Sequence, residues 1–116
     1  MDDPVKAVLA FRDEREWKPF HNPKDLAISI TLEAAELLEH FQWKSPGEVE
    51  AFLATEENRK RLVEEMADVL ILLISLADAA GLDLLEAARA KLRQNALKYP
   101  VERARGTAKK YDELAP

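Results

Sequence analysis

Two pairs of carboxylates are the side chains of this sequence best suited to chemistry. Glu33 and Glu36 form the first pair, and Glu65 and Asp68 form the second, each with its members three residues apart. Residues at this spacing lie on one face of a helix, and at about 100° per residue both pairs fall among leucines, on or beside the apolar face. An ionised carboxylate taken out of water costs several kcal/mol unless a cation compensates for it. We therefore expect the pairs to bind a divalent metal, and all-oxygen ligands select hard ions, Mg²⁺ or alternatively Mn²⁺.

Simpler explanations for these acids stay open. Acids three residues apart on a helix usually form a solvated face, and 22 of the 116 residues are Asp or Glu. Arg61 and Lys91 could each neutralise one carboxylate. One pair alone would therefore indicate nothing, whereas two pairs among leucines on separate long helices favour a functional site.

A di-iron centre is a different metal site that a helical bundle can hold, and it uses Glu-x-x-His motifs. Neither histidine completes such a motif, because Lys18 stands three residues before His21 and Leu37 stands three residues before His40. The sequence therefore disfavours redox di-iron chemistry.

Carboxylate-bound Mg²⁺ typically completes its coordination with water and with substrate phosphates. Such an ion can hold a polyphosphate and acidify a water molecule until it attacks phosphorus. The sequence has no Gly-rich loop of the Walker type, so the metal would have to bind the phosphates. Trp17 and Trp43 bracket the first acidic helix, near His21 and Gln42. Each tryptophan could be a core anchor, but their joint placement favours aromatic walls that stack on a nucleotide base.

Long helices must position these side chains, and the sequence predicts an all-α protein. Charged residues make up 34% of the chain and there are three glycines, a composition that favours helices. N-cap signals stand at Asn22, Ser45, Thr55 and Asp83. The predicted helices span about 4–16, 22–43, 45–53, 55–81 and 83–99.

We expect these elements to form an antiparallel four-helix bundle with a short extra helix, in a single domain of residues 1–116. The segment 101–116 carries several Lys and Arg residues and is predicted to be an extended basic tail. The third long helix is apolar on nearly every side over 69–76, which is more than one small bundle can cover. Self-association through the long helices, as a homodimer or a homotetramer, is therefore expected.

Charge and composition argue against several classes of protein. The net charge is −5 and there is no long basic run, which disfavours nucleic-acid binding. The chain has no cysteine, so a disulfide scaffold, a thiolate zinc site and a Cys nucleophile are excluded. The longest apolar stretch, 69–80, contains Ser75 and Asp78 and is too short for a membrane span. The acidic N-terminus lacks the features of a signal peptide, so a cytoplasmic location is expected.

The spacing of the acid pairs also resembles the signature of a known protein family. Glu33-Ala-Ala-Glu36, followed after 28 residues by Glu65-Met-Ala-Asp68, resembles the Glu-x-x-Glu and Glu-x-x-Asp signature of the all-α MazG-like nucleoside triphosphate pyrophosphohydrolases. Four further blocks look like the dCTP pyrophosphatase branch of that family and cover nearly the whole chain in order. They are REWKPFHNP at 15–23, ELLEHFQWK at 36–44, KLRQNALKYP at 91–100 and RGTAKKY at 105–111.

The resemblance implies hydrolysis of a nucleoside triphosphate to the monophosphate and pyrophosphate, with a deoxynucleotide such as dCTP or an analogue as the expected substrate. It implies that four acids are the Mg²⁺ ligands and form the catalytic centre: Glu33, Glu36, Glu65 and Asp68. One of them, or the neighbouring Glu39, would orient or deprotonate the attacking water.

Substrate-binding residues outside the acid pairs are implied by the same resemblance. Three match residues that line the base and sugar pocket: Trp17, His21 and Trp43. Three others belong to the 91–100 block and are expected to reach the phosphates or the sugar: Lys91, Asn95 and Tyr99. Without the resemblance, Lys91 would be interpreted as a surface side chain and Asn95 as a hydrogen-bonding residue of a helix end.

Two departures from the family pattern concern base selectivity. In the dCTP-specific members we expect a polar residue near Val8 and a tyrosine at Leu72, and both positions are aliphatic here. We expect the metal chemistry to be unaffected by these two differences. Selectivity for cytosine, however, is not implied by the resemblance. A rival hypothesis from another class is a catalytically silent helical oligomer that acts as an interaction module, with its acids merely solvated.

Overall fold

The structure is a computed structural model and describes residues 3–114. Over that range the chain is helical and contains no strand, so the predicted all-α class is confirmed. The six helices are α1 (Pro4–Glu14), α2 (Pro23–Glu39), α3 (Pro46–Leu53), α4 (Glu56–Ala79), α5 (Leu84–Lys98) and α6 (Val101–Ala104). Short 3-10 helices occur at Lys18–Phe20 and Tyr111–Glu113.

The chain divides into two compact units. The first unit ends at Leu82 and contains α1 to α4, and the second begins at Asp83 and contains α5 and α6. In the first unit α4 packs against α1, α2 and α3, most extensively against α2. The two helices that carry the acid pairs are therefore direct neighbours. A single domain over 1–116 stays a prediction.

Three of the four predicted N-caps form side-chain hydrogen bonds, whereas Thr55 stands at the N-cap position of α4 without one. The side chain of Asn22 accepts a hydrogen bond from the backbone three residues later, at 2.9 Å, and Pro23 follows it at the first helical position. Ser45 and Glu48 form the reciprocal capping box predicted for α3. Asp83 caps α5 in the same way as Asn22 caps α2, at 3.0 Å. Such caps satisfy backbone N–H groups that have no partner within the helix.

Three helices end two or more residues earlier than predicted. Helix α1 ends at Glu14, and α2 ends at Glu39, four residues before its predicted end at Trp43. Glu16 and Trp43 have positive φ angles of 53° and 66°, which no right-handed helix can contain. The chain therefore turns away after each helix. Helix α4 ends two residues before Gly81, whose φ of 70° is the left-handed geometry that glycine accepts without strain.

The segment 101–116 is not the uniformly extended tail that the sequence predicts. Its first four residues form α6, and Tyr111–Glu113 forms a 3-10 helix, while 115–116 lie outside the described residues. Pro100 supplies the carbonyl for the first turn of α6, accepting from the N–H groups of Arg103 and Ala104 at 3.0 and 2.9 Å. A proline tolerates this position because its missing N–H would have no helical partner there.

A buried ion pair joins α1 to α4. The guanidinium of Arg12 is almost fully buried and donates hydrogen bonds to Asp13 at 2.9 Å and to Asp78 at 2.6 Å. These bonds raise the pKa of Arg12, and the bond from Arg12 lowers the pKa of Asp13. Among the described residues, three apolar side chains are buried: Leu26, Ile74 and Ala77. The Arg12–Asp78 pair adds a buried polar contact between α1 and α4 to this small core.

Within residues 3–114, none of the helices combines the length and the apolar character that crossing a lipid bilayer requires.

Candidate active site

The four acids predicted to act together converge in the first unit. Glu33 and Glu36 lie on α2, and Glu65 and Asp68 lie on α4, which packs against it. Partial removal from water raises the pKa of Glu33, and so do the charges of Glu36 and Asp68, a hydrogen bond with Glu36 and the charge of Glu65. All three of the other carboxylates therefore act on Glu33, and like charges at short range oppose its ionisation.

The pairs are more exposed than their leucine neighbours suggested. Glu33 and Glu65, the first member of each pair, are half-buried, whereas Glu36 and Asp68 are exposed. The expectation that both members point into the core is therefore wrong for the second member of each pair. The helix rotation places Glu36 and Asp68 at the open edge of the α2–α4 interface, where solvent and a ligand can reach them.

The donor set fits a hard divalent cation. Its four members are carboxylates, which are the ligands that Mg²⁺ and Mn²⁺ prefer, and their crowding around Glu33 is the electrostatic situation that a cation relieves. Among residues 3–114, no group of three or more His, Asp or Glu side chains is already gathered closely enough to hold an ion. Binding a metal would therefore require these side chains to converge further.

His40 contacts this cluster directly, a role that the sequence did not reveal. Its Nε2 lies 2.5 Å from Oε2 of Glu65, and its side chain is 8% exposed. In the sequence, His40 was tested as part of a Glu-x-x-His motif, which it does not complete. The signal that could have revealed its contact is its position four residues after Glu36, which places the two side chains on the same face of the helix.

A cavity of about 520 Å³ lies between α1 and α4, with the turn after α1 closing part of its wall. Its lining is mainly apolar and includes Val8, Phe11, Trp17, His21, Leu72 and Ser75. Leu72 follows Asp68 by one helical turn, which is roughly 6 Å along the axis. The cavity wall and the second acid pair therefore share the same stretch of α4, although none of the four acids lines the cavity.

Trp17 and His21 are brought together at this cavity. The Trp17 ring packs edge-on against Phe11 at 5.8 Å between centroids, and it lies 6.3 Å from the ring of His21. Trp17 stays 43% exposed, so one side of the indole is accessible. Nδ1 of His21 is buried and has no hydrogen-bond partner within the described part of the chain. A buried ring nitrogen without a partner is costly, so His21 is incompletely satisfied beside the cavity.

Of the other predicted substrate residues, Trp43 belongs to the first unit and does not join this group. Trp43 is 92% exposed and is not among the side chains that line the cavity. Lys91, Asn95 and Tyr99 belong to the second unit, where the Tyr99 N–H donates to the Asn95 carbonyl at 2.8 Å. Their assignment to substrate stays a prediction.

The chain is similar to known proteins over most of its length. A model of the MazG-like family matches residues 28–114. The dCTP pyrophosphatase 1 of Rattus norvegicus is 41% identical over 114 residues, which are 98% of this chain and 67% of that protein. The dCTP pyrophosphatase 1 of Homo sapiens is 40% identical with the same coverage. The crystal structure of a pyrophosphatase from Archaeoglobus fulgidus is 44% identical with a TM-score of 0.72, over 83% of this chain and 88% of that one.

Proposed function

This chain belongs to the MazG-like family, and we propose that it is a nucleoside triphosphate pyrophosphohydrolase that uses Mg²⁺, with Mn²⁺ as an alternative, to convert deoxynucleoside triphosphates to monophosphate and pyrophosphate. One observation supports the proposal: four carboxylates at the family's signature spacing lie on the neighbouring helices α2 and α4, and three of them act on the fourth, Glu33, in a chain whose relatives are named dCTP pyrophosphatases. A nucleotide substrate also favours the proposed cytoplasmic location.

In the proposed reaction, four carboxylates would hold the metal: Glu33, Glu36, Glu65 and Asp68. A bound divalent cation supplies neutralisation of the triphosphate and acidification of water. One of the carboxylates, or Glu39 one turn further along α2, accepts the proton of the attacking water. The water oxygen forms a bond to the α or the β phosphorus. The bond between that same phosphorus and the bridging oxygen breaks, and the bridging oxygen leaves with the other product. Either direction of attack gives the monophosphate and pyrophosphate.

The α1–α4 cavity is the proposed pocket for the base and sugar. Trp17 offers an accessible indole face for stacking, and His21 lines the pocket beside it. Trp43, Lys91, Asn95 and Tyr99 are proposed substrate residues on the resemblance alone. Trp43 is so exposed that a nucleotide, or a second copy of the chain, would have to cover it.

The aliphatic side chains at two cavity positions should make the enzyme weakly selective for the base of its substrate. Val8 and Leu72 both line the cavity, and an aliphatic side chain cannot hydrogen-bond the edge of a cytosine. Apolar contacts discriminate between similar ligands by about 10–200-fold, whereas a dedicated hydrogen-bonding site reaches about 10⁴–10⁵-fold. The test is pyrophosphate release across the common dNTPs and modified dCTP analogues. Release with a preference within the apolar range supports the proposal, and no release from any nucleotide contradicts it.

Replacing Trp17 by alanine should raise KM for the preferred dNTP roughly 10-fold or more and change kcat little. Stacking of a base on an aromatic side chain is worth about 1–3 kcal/mol, and about 1.4 kcal/mol corresponds to tenfold in binding. Steady-state kinetics measure the effect. Phe20→Ala is the matched control, because Phe20 is also aromatic, is 72% exposed and does not line the cavity. Equal KM values for the two variants would contradict the assignment of Trp17.

Self-association is proposed as a homodimer or homotetramer. A stripe of apolar side chains on α4 is about half exposed in the single chain, at Val63, Met66 and Leu70, and contiguous patches of this kind mark interaction surfaces. Light scattering should give a particle mass of two or four chains, and Met66→Lys should lower it. A wild-type mass equal to one chain would contradict this proposal.

A further inference from the structure

His40 lies where the end of α2 meets α4. It is the first residue after α2, and the contact of its Nε2 with Oε2 of Glu65, at 2.5 Å, links the two helices through side chains. Glu65 is itself 23% exposed, so the contact is shielded from bulk water. An imidazole N–H that faces a carboxylate oxygen donates a hydrogen bond to it, and such charge-assisted bonds are among the stronger ones in proteins.

The imidazole is held by its surroundings and not only by Glu65. The ring of Phe52 on α3 lies 5.3 Å from the His40 ring and that of Phe41 lies 6.2 Å away, and the two phenylalanine rings contact each other. The Lys44 ammonium donates to the backbone carbonyl of His40 at 2.6 Å. Because packing from α3 fixes the ring, the position of Nε2 does not depend on the acid cluster.

We propose that His40 is a positioning residue that occupies one oxygen of Glu65 and presents the other oxygen to the metal. This inference rests on the proposed role of Glu65 as a metal ligand. Because Oε2 already accepts a bond from His40, Oε1 is the less encumbered oxygen, and the contact would hold the Glu65 carboxylate in one orientation toward a cation. Partners of this kind, which contact a ligand and not the metal, commonly change metal affinity by about 10–100-fold.

A purely structural role for His40 makes a different prediction. A buried histidine bonded to a carboxylate would stabilise the fold, and its replacement would lower the thermal midpoint of the metal-free protein without a separate loss of metal affinity. The two roles are therefore separated by measuring Mn²⁺ affinity and metal-free stability on the same variants.

His40→Met and His40→Gln form the matched pair for the experiment. The two side chains have similar length, but only glutamine keeps an N–H group that can donate to Glu65. Mn²⁺ binding to the full chain is followed by electron paramagnetic resonance, and thermal midpoints are recorded without metal. We expect His40→Met to weaken Mn²⁺ binding about 10–100-fold and His40→Gln to restore most of the affinity. Phe52→Leu loosens the packing around the ring but keeps the donor, so it should lower the thermal midpoint and weaken Mn²⁺ binding less than His40→Met does.

Two results would overturn the positioning role while leaving the proposed function intact. One is a His40→Met affinity equal to that of the wild type, and the other is an equal loss in both variants, which would assign the effect to packing. Failure of the wild-type chain to bind Mn²⁺ would contradict the proposed function and this inference together. If His40→Met does not fold, His40→Leu takes its place, since leucine also lacks a donor and suits a buried site.

Discussion

Glu36→Gln and Asp68→Asn should each reduce pyrophosphate release by roughly 10³-fold or more. Each change replaces a charged oxygen ligand with a neutral amide of nearly the same shape. Metal-based stabilisation of a phosphoryl transition state is worth several kcal/mol, and about 4 kcal/mol corresponds to 10³-fold in rate. Both side chains are exposed, so the folded structure should survive. Pyrophosphate release at saturating Mg²⁺ and dNTP measures the loss, with thermal unfolding as the check on folding.

Glu64→Gln is the matched control for these variants. Glu64 is an exposed acid on α4, next to Glu65 in the chain but outside both pairs. Its replacement removes the same charge and should leave turnover close to that of the wild type. Normal turnover in both Glu36→Gln and Asp68→Asn would contradict the metal assignment, and an equal loss in Glu64→Gln would show that overall charge, not the cluster, is responsible.

Removal of divalent metal should abolish turnover, and added Mg²⁺ or Mn²⁺ should restore it. The same treatment separates the enzyme from the rival hypothesis of a catalytically silent interaction module. A ligand at 100 times its dissociation constant stabilises the folded state by about 2.7 kcal/mol. We therefore expect Mg²⁺ together with a dNTP to raise the thermal midpoint, and a chelator to remove that rise. Turnover that persists in excess chelator would contradict the metal dependence, and an unchanged midpoint would favour the rival.

The acid cluster shows how much of the site the sequence could predict. The three-residue spacing of each pair is a local property, so it identified the right face of α2 and of α4. It could not give the depth of each side chain, because depth depends on how far the neighbouring helices cover that face. Glu33 and Glu65 are half-buried, whereas Glu36 and Asp68 reach solvent.

Contacts between distant parts of the chain were not accessible to pattern analysis. The bond between His40 and Glu65 joins residues 25 apart, and that between Arg12 and Asp78 joins residues 66 apart. Both connect α4 to another element of the first unit. Periodicity predicts which face of a helix is buried, but it does not predict which polar side chain meets which across an interface.

Helix boundaries were predicted well where a side chain forms the cap and poorly where backbone geometry ends the helix. Asn22, Ser45 and Asp83 are side-chain caps with a clear sequence signal. The early end of α2 is followed by the left-handed conformation of Trp43, a residue type that gives no such signal because bulky side chains rarely adopt positive φ. This turn also places Trp43 in solvent, away from the α1–α4 cavity.

We propose that this chain cleaves the phosphoanhydride bridge between the α and β phosphorus atoms of a nucleoside triphosphate at its carboxylate cluster. The decisive experiment is ³¹P nuclear magnetic resonance of a dNTP incubated with the wild-type chain and Mg²⁺, beside a sample with Glu36→Gln. We predict that the triphosphate signals of the wild-type sample are replaced by those of pyrophosphate and a nucleoside monophosphate, while the variant sample is unchanged. Release of orthophosphate and a nucleoside diphosphate, or an unchanged triphosphate in the wild-type sample, would contradict the account.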